Sequence, residues 1–274
     1  MSLLLPEPEG FERQADVFEV LYQKMRAGAV VRGLVQSVDF PDSIPTWLIT
    51  FPDIDINGEV IGLVPESETG LDRALMTRFI QQPVNVQIMG VDRDNGLVAC
   101  SRLAAVNQLS DRIEFKEGQL VTCSVRAIKP NPEGKRPLLT LDVGGGILVD
   151  IPYADARISF TKPLREQYKI GQLVTAKVTK INYGNQVSLS LKDARPSPWD
   201  NAKFRRGQII AGTIARINNN NLVFIEPDLY PGILGIAPYP IRGSLRNRQK
   251  VKCNVAAFSA EDKKLRLRIR PQGL

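Results

Sequence analysis

Arg266, Arg268 and Arg270 alternate with Leu265, Leu267 and Ile269, and Lys250 and Lys252 alternate with Val251 and Cys253. A two-residue period marks a half-buried strand, whose successive side chains point to opposite faces. Each set of cations therefore shares one exposed face backed by apolar residues. Opposite charges are nearly missing from both runs. Guanidinium and ammonium groups on such a face neutralise phosphates, and binding of that kind weakens steeply with salt. The alternative is an ordinary solvated face. Arg242, Arg246 and Arg248 would extend the basic run.

Other chemistries are poorly provided for. The chain of 274 residues has no histidine. That removes the commonest general base, the usual catalytic zinc ligands and His-based triads. Cys100, Cys123 and Cys253 are far apart, with no CxxC pair. They fit buried thiols in a reducing cytosol better than disulfides or a zinc site. Asp92 and Asp94 lie in a turn, and no carboxylate cluster recurs at metal-ligand spacing. The segment PDIDINGE, 52–59, matches the front of a calcium loop, but its twelfth position is Val64; calcium needs a bidentate Glu there. VGGGI, 143–147, lacks G-x-G-x-x-G spacing and reads as a tight connection between strands. These features point away from an enzyme, and no metal or cofactor is expected.

Charge is uneven along the chain. Residues 1–103 carry 8 basic and 15 acidic side chains, whereas residues 200–274 carry 14 and 5. An acidic front and a basic back suit different partners. No apolar run approaches the roughly 18 residues of a membrane span. The opening MSLLLPEPEG lacks the basic residue and long apolar run of a secretory signal. A cytoplasmic protein is expected, with no membrane partner.

The elements that must position the cations occur three times. GAVVRGLVQSV from Gly28, GQLVTCSVRAI from Gly118 and GQIIAGTIARI from Gly207 open the copies. A second element aligns Pro65, Pro152 and Pro238; a third aligns Val84, Val174 and Val251; LVACSR, VSLSLK and LRLRIR close the copies. Each copy has four strand-like runs, room for a fifth, and a loosely helical connector such as residues 69–80. Five short strands with a connector between the third and fourth is the pattern of an OB-fold barrel. Strands four and five are neighbours in such a barrel, so the five cations of the last copy would form one ribbon. The expected architecture is all-β: three tandem barrels at 27–106, 115–198 and 203–272, after a short N-terminal helical extension at 1–26. In FERQADVFEVLYQKMR, 11–26, Phe11, Phe18, Leu21, Tyr22 and Met25 share a helix face. That face would pack on the first barrel or dock a partner.

The stretch LSLKDARPSPW, 189–199, the restart RRGQIIAGTIARI and the turn GLVPESE resemble the S1 RNA-binding domain family. The resemblance covers about residues 27–272 and is strongest around 171–217. It implies barrels without catalysis that hold single-stranded RNA, and a role in translation. It also implies docking on the small ribosomal subunit through the first domain, here with the N-terminal helix. Single strands are held by stacking on aromatic rings and by a basic groove. OB barrels place these on the outer face of strands two and three. Phe40 and Trp47 are the candidates in the first repeat, with Phe51 a weaker third. Tyr153 and Tyr183 stand in the second repeat, with Lys192 of its closing stretch; Phe224 and Tyr239 stand in the third. The strand pattern leaves the direction of Phe224 open. A rival expectation is a protein-docking adaptor, on the ribosome or RNA polymerase, whose barrels have largely lost RNA binding. The thinned aromatics and the acidic first repeat favour that rival.

Overall fold

The computed structural model describes residues 16–134, 136–182, 186–241 and 244–270. Alternating apolar runs form fifteen strands among these residues, five per repeat. The first repeat holds β1 (Val30–Asp39), β2 (Thr46–Thr50), β3 (Ile61–Pro65), β4 (Pro83–Asp92) and β5 (Leu97–Ser101). The second holds β6 (Leu120–Lys129), β7 (Leu138–Asp142), β8 (Leu148–Ile151), β9 (Leu173–Ile181) and β10 (Val187–Ser190). The third holds β11 (Ile209–Ile217), β12 (Leu222–Pro227), β13 (Gly235–Pro238), β14 (Lys250–Ser259) and β15 (Lys264–Ile269). The chain divides into two compact units. The first runs to Ile113 and includes Gly144–Ile147; the second holds the rest, with the second and third barrels.

The first and third barrels close in the orders β1-β2-β3-β5-β4 and β11-β12-β13-β15-β14. Closure comes from a parallel pairing of the third strand with the fifth, at Ile61↔Leu97 in one and Ile236↔Arg266 in the other. The second barrel is a five-stranded sheet in the order β10-β9-β6-β7-β8. There the chain leaving β10 finds another acceptor. The N–H groups of Leu191 and Lys192 both donate to Asp155 O at 3.0 Å, in the helical turn after β8.

Two repeated devices shape the barrels. Gly28, Gly118 and Gly207 take φ of 57°, 82° and 83° just before the first strands. A Cβ at Gly118 or Gly207 would meet nothing within 4 Å, so backbone conformation and not space requires glycine there. Each first strand then carries a register shift at the same place: Val35/Ser37, Val125/Ala127 and Ile214/Arg216. A bulge bends a strand and sharpens its twist, which lets one strand serve both halves of a barrel. Inward residues fill each interior; in the third barrel Ile214, Val223, Ile225, Ala237 and Cys253 are fully buried.

The N-terminal helix α1 (Val17–Arg26) is capped by Asp16, whose carboxylate accepts from Phe18 N at 3.0 Å. It packs against β4 of the first barrel. Leu21 is buried, Tyr22 donates to Val91 O, and Arg93 lies over the Phe18 ring at 5.5 Å. Its apolar face is thus spent on the barrel; Phe11 lies outside the described residues. A second helix, α2 (Arg102–Ser110), follows β5 in the same unit, with Ser101 as its cap. Arg102 is buried and donates to Thr69 O at 2.7 Å and to Gly146 O at 2.6 Å. Gly144, Gly145 and Gly146 all have positive φ, and a Cβ on Gly145 or Gly146 would come within 2.9 Å of Leu109 or Val106. The glycine run is therefore a turn that only glycine fits. Among the described residues, no helix is long and apolar enough to cross a membrane.

Candidate nucleic-acid interface

The third barrel assembles a row of side chains that the linear sequence scatters. Val223 and Ile225 are fully buried, so the pleat sends Phe224 between them to the outer face. Strand pairing places Arg216 opposite Phe224, Phe224 opposite Ile236, and Ile236 beside Arg266. Arg216 and Arg266 are exposed, Phe224 is half-buried, and Ile236 is 41% exposed. The Arg216 guanidinium lies 4.2 Å from the Phe224 ring centroid. An aromatic ring and an exposed isoleucine are thus flanked by two arginines. The row crosses β11, β12, β13 and β15, about 14 Å at the usual strand spacing. It occupies the outer surface of strands two and three, where OB barrels take their ligands.

Arg266 also belongs to the basic ribbon. β14 and β15 pair, with Arg268 opposite Asn254 and Arg266 opposite Ala257, and Arg270 N donates to Lys252 O at 2.9 Å. Lys252, Arg266, Arg268 and Arg270 are exposed and enter no ion pair among the described residues. Lys250 is different: its ammonium bonds to Asp228 at 2.8 Å. Arg242 lies outside the described residues. Arg246 and Arg248 are exposed.

The remaining candidates divide by burial. Phe40 is 45% exposed at the end of β1, with the Arg73 guanidinium 4.8 Å from its ring. Tyr153 is half-buried beneath Arg136 at 4.6 Å. Each barrel thus shows at least one ring paired with a guanidinium, and both are planar groups on which bases stack. Trp47 corrects the expectation from sequence. It is fully buried, its Nε1 donates to Met76 O at 3.0 Å, and its ring lies 5.6 Å from that of Phe79. A ring enclosed by the core has no face for a base. Phe51 is fully buried as well. Tyr239 is half-buried against the third core, and its hydroxyl accepts from Leu245 N at 2.9 Å. Lys192 is exposed at the close of the second barrel; Tyr183 lies outside the described residues. Arg216, Ile236, Arg73 and Arg136 were not singled out from the sequence. Strand alternation marks Arg216 as exposed, but only the pairing register brings it to Phe224.

Burial pushes the thiol of Cys100 up to about 12 and those of Cys123 and Cys253 up to about 11. Asp55 of the calcium-like loop accepts from Gly58 N at 3.0 Å and Val60 N at 2.7 Å, which uses its carboxylate to shape the turn. Among the described residues, no group of three or more His, Cys, Asp or Glu side chains could hold a metal ion.

No family model matches the chain. It is 28% identical over 186 residues to small ribosomal subunit protein bS1 of Staphylococcus saprophyticus, covering 64% of this chain and 44% of that one. It is 24% identical over 270 residues to bS1 of Helicobacter pylori, covering 92% and 44%. A solved multidomain protein with nucleic-acid-binding domains from Streptococcus pneumoniae overlaps 90% of this chain and 75% of that one, at 12% identity and a TM-score of 0.25. That overlap is too loose to support a conclusion. The chain spans less than half the length of the curated relatives, at 44% of each. Over most of its own length it is nevertheless similar to bacterial ribosomal protein bS1, as its three S1-like barrels lead one to expect.

Proposed function

We propose that the chain is a non-enzymatic binder of single-stranded RNA that acts in translation, holding mRNA at or near the small ribosomal subunit in the cytoplasm. The observation that carries this reading is the outward row Arg216, Phe224, Ile236 and Arg266, joined through Arg266 to the unpaired cations of the ribbon. Phe224 supplies a stacking surface, while Lys252, Arg266, Arg268 and Arg270 neutralise phosphates. Phe40 and Tyr153 are further stacking candidates, and Lys192 a further phosphate contact. Contacts to charge and π-faces read little sequence. The similarity to bS1, whose name places it in the small subunit, supports the setting. Docking on that subunit is assigned to the acidic first barrel with α1. The test is fluorescence anisotropy of a labelled 20-nucleotide strand from low to physiological salt. Five phosphate contacts predict a slope of log K against log salt of about −3.5. The reading also requires preference over duplex DNA.

A second reading is the protein-docking adaptor. The buried Trp47 favours it, since it leaves the first barrel with Phe40 as the one sequence-derived ring that is exposed. It requires RNA affinity that vanishes at physiological salt.

A further inference from the structure

Within the second unit, a cleft of about 720 Å³ opens where the second barrel, the joint 192–199 and the third barrel meet. Its volume is that of a small-ligand site, typically about 300–1,000 Å³. Its lining is strongly cationic. Arg157, Lys177, Lys192, Arg195 and Lys263 border it, against Asp193 as the sole carboxylate among the lining residues. None of these five cations enters an ion pair among the described residues. Two aromatic residues, Phe160 and Trp199, also line it.

The walls are held in place. Glu226 of β12 is 3% exposed and accepts from Phe160 N at 3.0 Å and Gly232 N at 2.7 Å, both residues of the cleft. One carboxylate thus ties the second barrel's wall to the third's. Arg157 lies over the Phe160 ring at 3.9 Å, and Arg195 donates to the Tyr168 hydroxyl at 3.0 Å. Trp199 stacks on Phe258 with ring planes 8° apart. The rings and both guanidinium groups therefore have fixed positions before any ligand arrives.

Unpaired cations beside fixed aromatic rings suit a phosphate ester joined to a planar base. We infer that the cleft seats a nucleotide of a single-stranded RNA, its phosphate against the lysines and its base against Trp199 or Phe160. The inference rests on the RNA-binding reading and adds to it a site away from the outer face of β12 and β13. It makes the second and third barrels one composite binding body.

The chain has two tryptophans, and Trp47 is fully buried, so fluorescence quenching by a ligand reports on Trp199. The full chain is titrated with a 12-nucleotide single strand, with the same sequence as duplex, and with AMP; affinity is followed in parallel by anisotropy of a labelled single strand. The single strand is expected to quench, and Trp199→Phe to remove the quench. Lys192→Glu/Lys263→Glu, with both sites exposed, should weaken binding about tenfold and flatten the salt slope by about 1.4. Lys192→Ala/Lys263→Ala, with half that charge change, repeats the test should the reversed pair misfold. RNA binding of unchanged affinity without quenching overturns the cleft and leaves the RNA-binding reading standing. Absence of RNA binding by the unsubstituted chain overturns both. Quenching by AMP as strong as by the strand makes this a free-nucleotide site and overturns the assignment to RNA.

Discussion

Glu226→Gln is the substitution whose effect the structure specifies most closely. Glu226 Oε1 accepts from Phe160 N and Gly232 N. Its Oε2 accepts from the hydroxyls of Ser159 and Thr161, each at 2.6 Å, and from Thr161 N at 3.0 Å. Burial alone would raise the carboxyl's pKa. The bonds from Ser159, Thr161, Gly232 and Phe160 outweigh it and hold it below the ordinary 4.5. A glutamine must set its NH₂ against donors. In the Oε1 position it would face two N–H groups. In the Oε2 position it faces only Thr161 N–H, because the hydroxyls can turn and accept. The second arrangement leaves the half-buried Thr161 N–H with only its longer bond to Ser159 Oγ at 3.2 Å, about 1 kcal/mol, and makes the remaining bonds neutral, about 1 kcal/mol more. The sum is about 2 kcal/mol. Amide exchange in the full chain at neutral pH reads it, because several barrels need not unfold as one. The amides of Phe160, Thr161 and Gly232 should exchange about 30-fold faster. Since the folded pKa is lowered, the wild-type advantage is complete above 4.5 and is lost as pH falls through the folded value. The two proteins should converge in acid. A change of less than about threefold, or a gap that ignores acid, would refute this account of the latch.

Three further outcomes follow from the same geometry. Arg266→Glu/Arg268→Glu should weaken single-stranded RNA binding at least about tenfold and flatten the salt slope by about 1.4, as anisotropy reads it. Phe224→Ala should cost about 1–3 kcal/mol of RNA binding with little change in folding, whereas Trp47→Ala should cost about 3–5 kcal/mol of stability in denaturant melts. Cys100, Cys123 and Cys253 should stay unreactive toward a thiol reagent at pH 8 in the folded chain and react rapidly in denaturant, because burial holds them as thiols.

The repeat, and with it the barrel, is written plainly in the sequence. Gly28, Gly118 and Gly207 each precede a first strand, and Pro65 and Pro238 each end a third. Alternation is a local property, so the outward set Lys252, Arg266, Arg268 and Arg270 could be read directly. Direction failed at Trp47, where Thr46 and Trp47 are both buried and simple alternation breaks at the strand start. The row through Phe224 was illegible because a bulge between Ile214 and Arg216 sets which arginine meets the ring. The helix α2 was missed because apolar and polar residues do not sort onto separate faces in RLAAVNQLS. The open edge of the second barrel follows from a carbonyl of Asp155 that no sequence pattern assigns to β10. The cleft depends on residues far apart in the chain, such as Arg157 and Lys263, meeting across two barrels of one unit.

The most direct test of single-strand binding by the third barrel is photo-crosslinking of a 4-thiouridine-substituted single strand to the full chain at physiological salt, mapped by mass spectrometry. The account predicts crosslinks at Phe224 and in the peptide from Lys264 to Arg270, competed by unlabelled single strand and not by duplex DNA. Crosslinks confined to the first barrel, or none that survive physiological salt, would contradict it.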